Sequence, residues 1–399
     1  MTGGRNFTLF LAGSSLSAIG TGAAPVALTF ALFAGGSGTE RVSLVMAAEA
    51  LPLIGLLLLG GALADRFAPR RMMIAADLLR ACTQMLLAAL LAYMSVPGSG
   101  AFCAVLALVT MLGAGTALEA PGRNRFLTQI VSADGLPAAN GRLMAASSAS
   151  GLIGPALGGA LVASAGASWA VALDGLTYLA SACLLTLIRP PGDETATDAA
   201  DPSLLRSLRD GWSAFIARSW VWLMVCLFGA MHLLSWAPTE VLGALLYSHQ
   251  PGGALHWGAL LSLMGGGAII GAIMATRARP QRAIRAILLW LLLYPLLPIG
   301  LAAAAPYWVQ GICAILGGIE MAHVNVLWES TLQRAIPPDR LSRVSAYDML
   351  GSYCLMPLGY VLAGPLASGL GVSGALWSGA ALVLFGTAFL LFRLGTDAP

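Results

Sequence analysis

The chain contains no lysine, and only 10% of its 399 residues are charged. A soluble domain carries charge on about a quarter of its residues. Because 58% of the residues are hydrophobic, a soluble fold would leave much apolar surface in water, at a cost of about 25 cal/mol per Å². No soluble basic domain that could bind nucleic acid is present. The composition therefore predicts an integral membrane protein.

Several patterns that carry chemistry are also missing. There is no Gly-Lys-Ser/Thr loop to cradle a phosphate, so we expect no ATP-driven transport by this chain. The four histidines are scattered and the six cysteines lack metal-ligand spacing, so we expect neither a metal site nor a cofactor. No serine or cysteine nucleophile constellation is visible, and we expect the chain not to be an enzyme.

What the chain has instead is a succession of long apolar runs between short polar segments. A transmembrane helix needs about 20 largely apolar residues, and each run is long enough. The pattern predicts an all-α integral membrane protein with twelve transmembrane helices. The predicted spans are residues 7–34, 43–64, 72–95, 101–121, 137–165, 168–188, 219–245, 256–277, 284–304, 307–330, 341–369 and 373–393.

Arginines mark every second connection between these spans. The alternate connections are short, glycine-rich and almost uncharged, with Arg41 as the exception. Because cytoplasmic loops carry the excess of positive charge, both termini are expected in the cytosol. We expect a multi-pass, monomeric protein in the bacterial cytoplasmic (inner) membrane, with the lipid bilayer as its surroundings.

One polar low-complexity segment, residues 191–202, divides the chain. It predicts an N-terminal six-helix bundle in residues 1–190, a cytosolic linker with an interfacial helix in 191–218, and a C-terminal six-helix bundle in 219–399. The alternative to the interfacial helix is a plain start of the seventh span.

The two halves repeat in sequence at a shift of 205 residues. The coincident pairs are Gly113/Gly318, Asp134/Asp339, Leu136/Leu341, Gly154/Gly359, Leu157/Leu362, Gly159/Gly364, Gly166/Gly371 and Ser168/Ser373. Two similar halves predict pseudo-symmetric bundles with a pathway at their interface, working by alternating access.

The connection after the second predicted span carries a candidate cytosolic gate, formed by Gly61, Asp65, Arg66, Arg70 and Arg71. Gly61 permits a close helix crossing, and Asp65 can meet a helix N-terminus or an arginine. Such a contact would hold the cytosolic side shut in one state only. Positive-inside topology would explain the arginines but not the order Gly-x-Leu-Ala-Asp-Arg. The segment resembles motif A of the major facilitator superfamily, with Ala68 in place of the second glycine, and implies that fold.

The third predicted span carries Asp77 and Arg80, three residues apart on one helix face. Opposite charges at this spacing can neutralise each other within the membrane, and we interpret them as a structural ion pair. The surrounding sequence resembles the branch of drug:proton antiporters that includes macrolide and siderophore exporters. The fourth span has no arginine, whereas many proton-coupled drug antiporters carry one there, so their proton relay is not transferred to this chain.

The fifth predicted span contains Gly151, Gly154, Pro155, Gly158 and Gly159. Pro155 bends the helix. The glycines allow the bent helix to pack closely against a neighbouring helix, which we expect in the other half of the chain. The pattern is similar to the antiporter motif C of drug:proton exporters, which that family associates with export. Ordinary small-residue packing is the alternative, although it leaves the mid-membrane Gly-Pro unexplained.

Acidic residues within the spans are the candidates for substrate binding or proton coupling, because a charge in hydrocarbon is costly. Glu320 lies halfway along the tenth span with His323 one turn on, and such a pair can share a proton. Glu49 and Glu240 are further candidates, each for a cation or a proton. A satisfied buried pair is the alternative for Glu320 and His323, and Asp174 is interpreted as a helix-packing hydrogen bond.

The resemblance also implies which helices face the transport cavity. The large side chains expected on those helices are Met231, Trp236, Met321, Asn325 and Trp328. Aromatic and methionine walls suit a bulky, partly apolar substrate, while lipid-facing or core packing is the alternative for each.

These observations favour a proton-coupled exporter of small amphipathic compounds, such as antibiotics, siderophores or other metabolites. Its partners would be a small-molecule substrate and protons, with no nucleic acid. The alternatives are an importer or facilitator on the same fold, and a membrane receptor or assembly protein that no longer transports.

Overall fold

A computed structural model of the chain describes residues 4–57, 68–93, 99–188, 212–213 and 215–394. Within these residues all regular secondary structure is helical. The helices before the predicted linker are α1 (Arg5–Ala34), α2 (Thr39–Leu57), α3 (Pro69–Tyr93), α4 (Ser99–Ile130), α5 (Leu136–Ser164) and α6 (Ala167–Leu187). A short 3-10 turn, Ala133–Gly135, precedes α5.

The helices after the predicted linker are more often interrupted. They are α7 (Ser219–Met231), a π-helical turn (His232–Trp236), α8 (Ala237–Ser248), α9 (Gly253–Arg277), α10 (Ala283–Leu291), α11 (Leu296–Ala302), α12 (Tyr307–Ala335), α13 (Pro338–Tyr353) and α14 (Met356–Leu394). The gap between α10 and α11 ends at Pro295, and the gap between α13 and α14 lies just before Pro357. Proline has no backbone N–H to donate to the helical hydrogen-bond ladder, which accounts for both interruptions.

Ten helical runs among the described residues are long and apolar enough to cross a membrane. The predicted second span lies partly outside the described residues, since α2 is described only to Leu57. The predicted eleventh and twelfth spans form one run, 343–394, in which Gly371 has non-helical backbone angles. The prediction of a multi-pass helical membrane protein is confirmed, while the count of twelve remains a prediction.

The sequence repeat has a backbone counterpart at its glycines. Gly166, between α5 and α6, has φ of 98°, and Gly371, within α14, has φ of 72°. Only glycine adopts such angles without a steric penalty, which accounts for the glycine at each of these positions. At a second pair, Gly113 and Gly318, the space of a Cβ is taken by a carbonyl oxygen of a neighbouring helix.

The outer surface of the helices is apolar. Aromatic side chains such as Tyr93, Phe385 and Phe392 are largely exposed, as are Trp169 and Trp308 near the first residues of α6 and α12. In water such a surface would drive association, whereas in lipid it is the expected exterior. Tryptophans near helix ends suit the membrane interface.

The described residues form two compact units. The first contains the described residues between 4 and 188 together with 244–262, and the second contains the described residues between 212 and 243 together with 263–394. In the first unit α1 packs on α5 and α6, α3 packs on α4 and α6, and α2 packs on α4. In the second unit α14 packs on the π-helical turn, α7 and α11, and α12 packs on α10. The predicted boundaries at 190 and 218 lie at the edges of a segment outside the described residues.

Candidate functional site

Two glycines of the motif in α5 bring this helix against α1 in the first unit. A Cβ on Gly154 would lie 2.8 Å from the Cα of Gly22. A Cβ on Gly158 would lie 2.9 Å from the Cα of Ala23 and closer still to its carbonyl oxygen. Both contacts are backbone against backbone, so no side-chain rotation could make room. The expectation that these glycines press on the other half is therefore wrong for Gly154 and Gly158, because their neighbour is the first helix.

Pro155 and Gly159 face a different neighbour, the first turns of α9. A Cβ on Gly258 would overlap the carbonyl oxygen of Pro155, and a Cβ on Gly159 would lie 3.0 Å from the Cα of Leu255. The backbone N–H of Ala156 donates to Oγ of Ser262 at 2.8 Å. The hydroxyl thus satisfies a backbone group next to the proline, where the helical hydrogen-bond ladder is interrupted.

Ser262 was not identified from the sequence, because a lone serine in an apolar helix has no local signature. Gly151, the remaining glycine of the motif, is exposed and has no atom within 4 Å of where its Cβ would lie. The motif therefore makes two close helix contacts, and Gly151 takes part in neither.

A polar cavity of about 350 Å³ lies within the first unit. Its wall contains the charged residues Asp77, Arg80, Glu119 and Arg123, together with seven hydroxyl side chains: Ser14, Ser17, Thr21, Thr116, Ser147, Ser150 and Ser181. Glu119 and Arg123 form an ion pair at 3.9 Å. A cavity with this lining can hold water or the polar part of a solute.

The Asp77–Arg80 pair is formed in the structure and is deeply buried. A guanidinium nitrogen of Arg80 donates to Oδ1 of Asp77, and the two residues are only 5% and 2% exposed. The guanidinium also lies 4.3 Å from the centre of the Tyr178 ring. Gly115 of α4 leaves room for the arginine, since a Cβ there would lie 2.6 Å from Cγ of Arg80.

Asp174 has the predicted packing role. Its Oδ2 accepts a hydrogen bond from Nε2 of Gln84 at 2.5 Å, which ties α6 to α3. Thr177 also donates to the backbone carbonyl of Asp174 at 2.7 Å. The prediction of a helix-packing hydrogen bond is confirmed.

Three residues of the candidate gate, Gly61, Asp65 and Arg66, lie outside the described residues. Arg70 is described, and it donates from Nε to the carbonyl of Leu185 at 3.0 Å and from a terminal nitrogen to that of Thr186 at 2.6 Å. These are among the last carbonyls of α6, where i→i+4 partners run out. The carbonyl of Leu185 also accepts a hydrogen bond from the backbone N–H of Ile188 at 3.3 Å. The positive charge also lies at the negative end of the helix dipole. Arg71 is exposed.

Replacing Arg70 by leucine is expected to lower the free energy of unfolding by about 1–3 kcal/mol, since two carbonyls lose a charged donor. Unfolding in detergent, followed by tryptophan fluorescence, would measure the change. Arg5→Leu is the matched control, because Arg5 is exposed at the start of α1, and we expect a change within about 0.5 kcal/mol. Equal losses in both variants would show that capping of α6 is unimportant.

A second cavity, of about 320 Å³, lies within the second unit and is called the acidic cavity below. Its aromatic lining consists of Phe228, Trp236, Tyr294, Trp328 and Tyr353, and four methionines also line it: Met231, Met321, Met349 and Met356. All five large side chains predicted to face a cavity, including Asn325, are in this wall. That they face the transport pathway stays a prediction.

Glu320 lies in the wall of the acidic cavity, but the structure does not bring it together with His323. Glu320 is 1% exposed, and its Oε2 has no hydrogen-bond partner among the described residues. Nδ1 of His323 lies 3.4 Å from the carbonyl oxygen of Gly271, and its ring centre lies 4.4 Å from that of Trp290. The interpretation as a satisfied Glu–His pair is therefore wrong in this structure, because the imidazole is held by α9 and α10.

The other two candidate acids are placed differently. The hydroxyl of Tyr360 donates to Oε2 of Glu240, so this carboxylate has a partner. Glu49 is half-buried, and its carbonyl oxygen occupies the space of a Cβ on Gly113. Neither residue lines the acidic cavity. Tyr360 was missed by sequence reasoning, although it stands at the repeat position of Pro155 and directly follows the repeated Gly359.

The π-helical turn between α7 and α8 was also missed. A Cβ on Gly359 would lie 2.6 Å from the carbonyl oxygen of Leu233, and a Cβ on Gly379 would lie 3.1 Å from the Cα of Ser235. Two glycines of α14 therefore pack directly on this turn. His232 and Trp236, at its two ends, both line the acidic cavity. Single π-helical turns are frequent at functional sites.

A buried ion pair, and a buried carboxylate with one oxygen that has no hydrogen-bond partner among the described residues, are costly inside an apolar helical protein. In membranes such groups mark pathways for solutes and protons. With two lined cavities in a multi-pass helical fold, these features are those of a membrane transporter. Among the described residues no group of three or more His, Cys, Asp or Glu side chains is placed to hold a metal ion.

Solved structures of transporters share this fold. A mutant of the nucleoside transporter NupG matches with a TM-score of 0.77 at 10% identity, covering 97% of this chain and 99% of its own. A bacterial homologue of the iron transporter ferroportin, in an inward-facing state, matches with a TM-score of 0.74 at 18% identity, covering 97% of this chain and 98% of its own. These likenesses show the major facilitator fold.

The chain belongs to the transmembrane secretion effector family of the major facilitator superfamily, whose profile matches residues 4–397. Macrolide efflux protein A of Streptococcus pyogenes is 23% identical over 92% of this chain and 90% of its own length. The enterobactin exporter EntS of Salmonella typhi is 30% identical over 60% of this chain and 57% of its own. The multidrug efflux pump Tap of Mycobacterium bovis is 26% identical over 97% of this chain and 92% of its own. The resemblance identified from the motifs is confirmed.

Proposed function

We propose that the chain is a secondary active transporter that exports small amphipathic compounds in exchange for protons, by alternating access. The proposal includes twelve spans in two six-helix bundles, both termini in the cytosol, and a bacterial cytoplasmic membrane. Efflux is supported by the relatives, which are named for the export of macrolides, enterobactin and several drugs.

Proton coupling is supported by one observation above all: the buried carboxylate of Glu320 lies in a cavity wall, and one of its oxygens has no hydrogen-bond partner in the described part of the chain. A carboxylate in this environment is stabilised by a proton or by a cationic ligand, and each excludes the other. Exchange of the two ligands at Glu320 would couple export of one to import of the other. Glu240 is already paired with Tyr360, so it is the weaker candidate.

In this proposal the motif helix α5 has a mechanical role. Its contacts with α1 and with the first turns of α9 are backbone contacts at glycines, and such surfaces can slide without reorganising side chains. The gate residues Gly61, Asp65, Arg66 and Arg71 would close the cytosolic side, with Arg70 holding the end of α6. His323 and Glu49 remain candidates for a supporting role in coupling.

We expect Glu320→Gln to abolish proton-driven transport. Inside-out proteoliposomes with an acidic interior would be given labelled erythromycin or enterobactin, and accumulation would be followed against empty liposomes. The glutamine variant should remain at the background level, because its amide cannot take up and release the proton. Glu40→Gln is the matched control, since Glu40 is exposed in the first turn of α2, and it should accumulate substrate like the unmodified protein.

Other outcomes would contradict the proposal in distinct ways. Accumulation of substrate that persists after the pH gradient is collapsed would contradict proton coupling. Counterflow of labelled substrate without any gradient, and with Glu320→Gln unaffected, would favour a facilitator. No movement of any probe in either direction would favour a receptor or assembly role.

A further inference from the structure

The polar cavity of the first unit has a wall that is rich in hydrogen-bonding groups but balanced in charge. Its four charged side chains form two pairs, Asp77 with Arg80 and Glu119 with Arg123. Each pair consists of opposite charges on one helix, so each is neutral as a unit. A ligand with a net charge of either sign would therefore find no free counter-charge among the lining residues.

Hydroxyl groups supply most of the remaining polar wall. The hydroxyls of Thr116 and Ser150 donate to carbonyl oxygens one turn earlier in their own helices, at 3.1 and 2.8 Å. A hydroxyl oxygen that donates its proton still has lone pairs with which to accept a hydrogen bond. Ser14, Ser17 and Ser147 add three further hydroxyls to the wall. The cavity therefore offers several acceptors to a ligand that carries donors.

One buried donor in this wall lacks a partner. Nε of Arg80 forms no hydrogen bond with any described residue, although Arg80 is only 5% exposed. The terminal nitrogen of the same guanidinium donates to Asp77, so the pairing of the two charges leaves Nε unused. A buried donor without an acceptor is costly. An oxygen atom of a ligand bound in the cavity would remove that cost.

The cavity is large enough for a small molecule, and its wall includes exposed residues of α5. Its volume of about 350 Å³ lies within the range of about 300–1,000 Å³ that is usual for small-molecule sites. Ser147 and Gly151 line the cavity and are exposed. No atom lies within 4 Å of where a Cβ on Gly151 would be. The motif glycine that makes no helix contact thus leaves open space beside the cavity.

We propose that the polar cavity binds the neutral, polyhydroxylated part of a small molecule, such as a sugar ring. A sugar hydroxyl both donates and accepts hydrogen bonds, so it matches serine and threonine hydroxyls and can accept from Nε of Arg80. An apolar body would leave these polar groups without partners, and an ion would lack a counter-charge. The inference goes beyond the proposed function, because binding here requires neither proton coupling nor the acidic cavity.

The probes are para-nitrophenyl β-glucoside and para-nitrophenyl tetrahydropyranyl ether. They share a saturated oxygen-containing ring and an aromatic group, but only the glucoside carries sugar hydroxyls. Binding of each tritiated compound to the purified chain in lipid nanodiscs would be measured by equilibrium dialysis, with empty nanodiscs subtracted. Nanodiscs avoid alkyl glycoside detergents, whose sugar groups would compete for the site. We expect saturable binding of the glucoside and none of the ether.

A leucine at Gly151 tests the location of the site. Gly151→Leu should weaken binding of the glucoside by about tenfold or more, because the new side chain obstructs the cavity, while the unfolding temperature stays normal. Gly141→Leu is the matched control, since Gly141 is exposed on the same helix, has open space around it and does not line the cavity. It should bind the glucoside like the unmodified chain.

Removal of hydroxyls tests the chemistry of the site without filling it. Loss of one neutral hydrogen bond weakens binding by about two- to tenfold, so the double variant Ser14→Ala with Ser17→Ala should lose at least that much affinity for the glucoside. Ser164→Ala is its control, because Ser164 is exposed near the end of α5 and donates to the carbonyl of Ala160 at 2.7 Å. It should leave the affinity unchanged.

Several outcomes would overturn the inference. They are equal binding of the two probes, absence of saturable glucoside binding, and an unchanged affinity in Gly151→Leu or in the double serine variant. Proton-driven transport of erythromycin without glucoside binding would overturn this inference alone. Glucoside binding without transport of any compound would leave the inference standing and contradict the proposed function.

Discussion

Replacing Arg80 by leucine is expected to destabilise the chain by about 3–5 kcal/mol, because Asp77 would remain as a buried carboxylate without its partner. Both residues are almost fully buried in the wall of the polar cavity, and the guanidinium also covers the ring of Tyr178. The reverse change, Asp77→Leu, should cost a similar amount. Unfolding of the purified chain in detergent, followed by tryptophan fluorescence, would measure both.

The double variant Asp77→Leu with Arg80→Leu distinguishes the pair from two independent residues. Removing both charges together is often close to neutral, since no unpaired charge is left in the apolar interior. We therefore expect the double variant to lose much less than either single variant. Losses that simply add would show that the two side chains are not energetically coupled, and would contradict their interpretation as a structural ion pair.

Replacing Gly158 by leucine is expected to prevent the close approach of α5 and α1 and to destabilise the chain by about 3 kcal/mol or more. The new Cβ would overlap the backbone of Ala23, a group that cannot turn aside. Unfolding temperature and the yield of monodisperse protein in detergent would show the effect.

Gly151 is the matched control for this change, since it belongs to the same motif and the same helix but has open space around it. Gly151→Leu should keep or slightly raise stability, because leucine has the higher helix propensity by about 0.8 kcal/mol. Similar losses at both positions would mean that the cost comes from the local helix and not from contact with α1.

Much of the architecture could be predicted from the sequence. Backbone groups in lipid must be satisfied within the segment, so each long apolar run predicts a helix with little dependence on its neighbours. The repeated glycines also have a local cause at one pair: Gly166 and Gly371 both have positive φ, where other residues are strained. Asp77 and Arg80 were paired correctly, because both lie on one helix at a spacing that brings them together.

The partners of the candidate ionisable residues could not be predicted from the sequence. Glu320, His323 and Glu240 all lie in apolar runs and have the same local signature. Glu240 has a partner because Tyr360 lies across from it on α14, and His323 turns to Gly271 of α9. The rotation of each helix about its axis, and hence the partner of each side chain, is decided by packing against other helices.

Local irregularities were beyond prediction for a related reason. The π-helical turn between α7 and α8 contains no proline or glycine, and two glycines of α14, far along the chain, pack upon it. Ser262 likewise acquires its role only because Pro155 of another helix lies beside it. Neither feature has a signal within its own segment.

By itself the sequence determined that this chain is a helical membrane protein with a repeated plan, a buried ion pair and the motifs of an exporter family, because hydropathy, glycine geometry and spacing along one helix act locally. Only the tertiary structure decided that Glu320 lies in the wall of a cavity lined by aromatic and acidic side chains, where one of its oxygens has no hydrogen-bond partner among the described residues. By contrast, Glu240 is bonded to Tyr360 and Glu49 lies outside that cavity. That distinction depends on contacts between residues far apart in the chain, and the free energy of a buried charge is determined by those contacts.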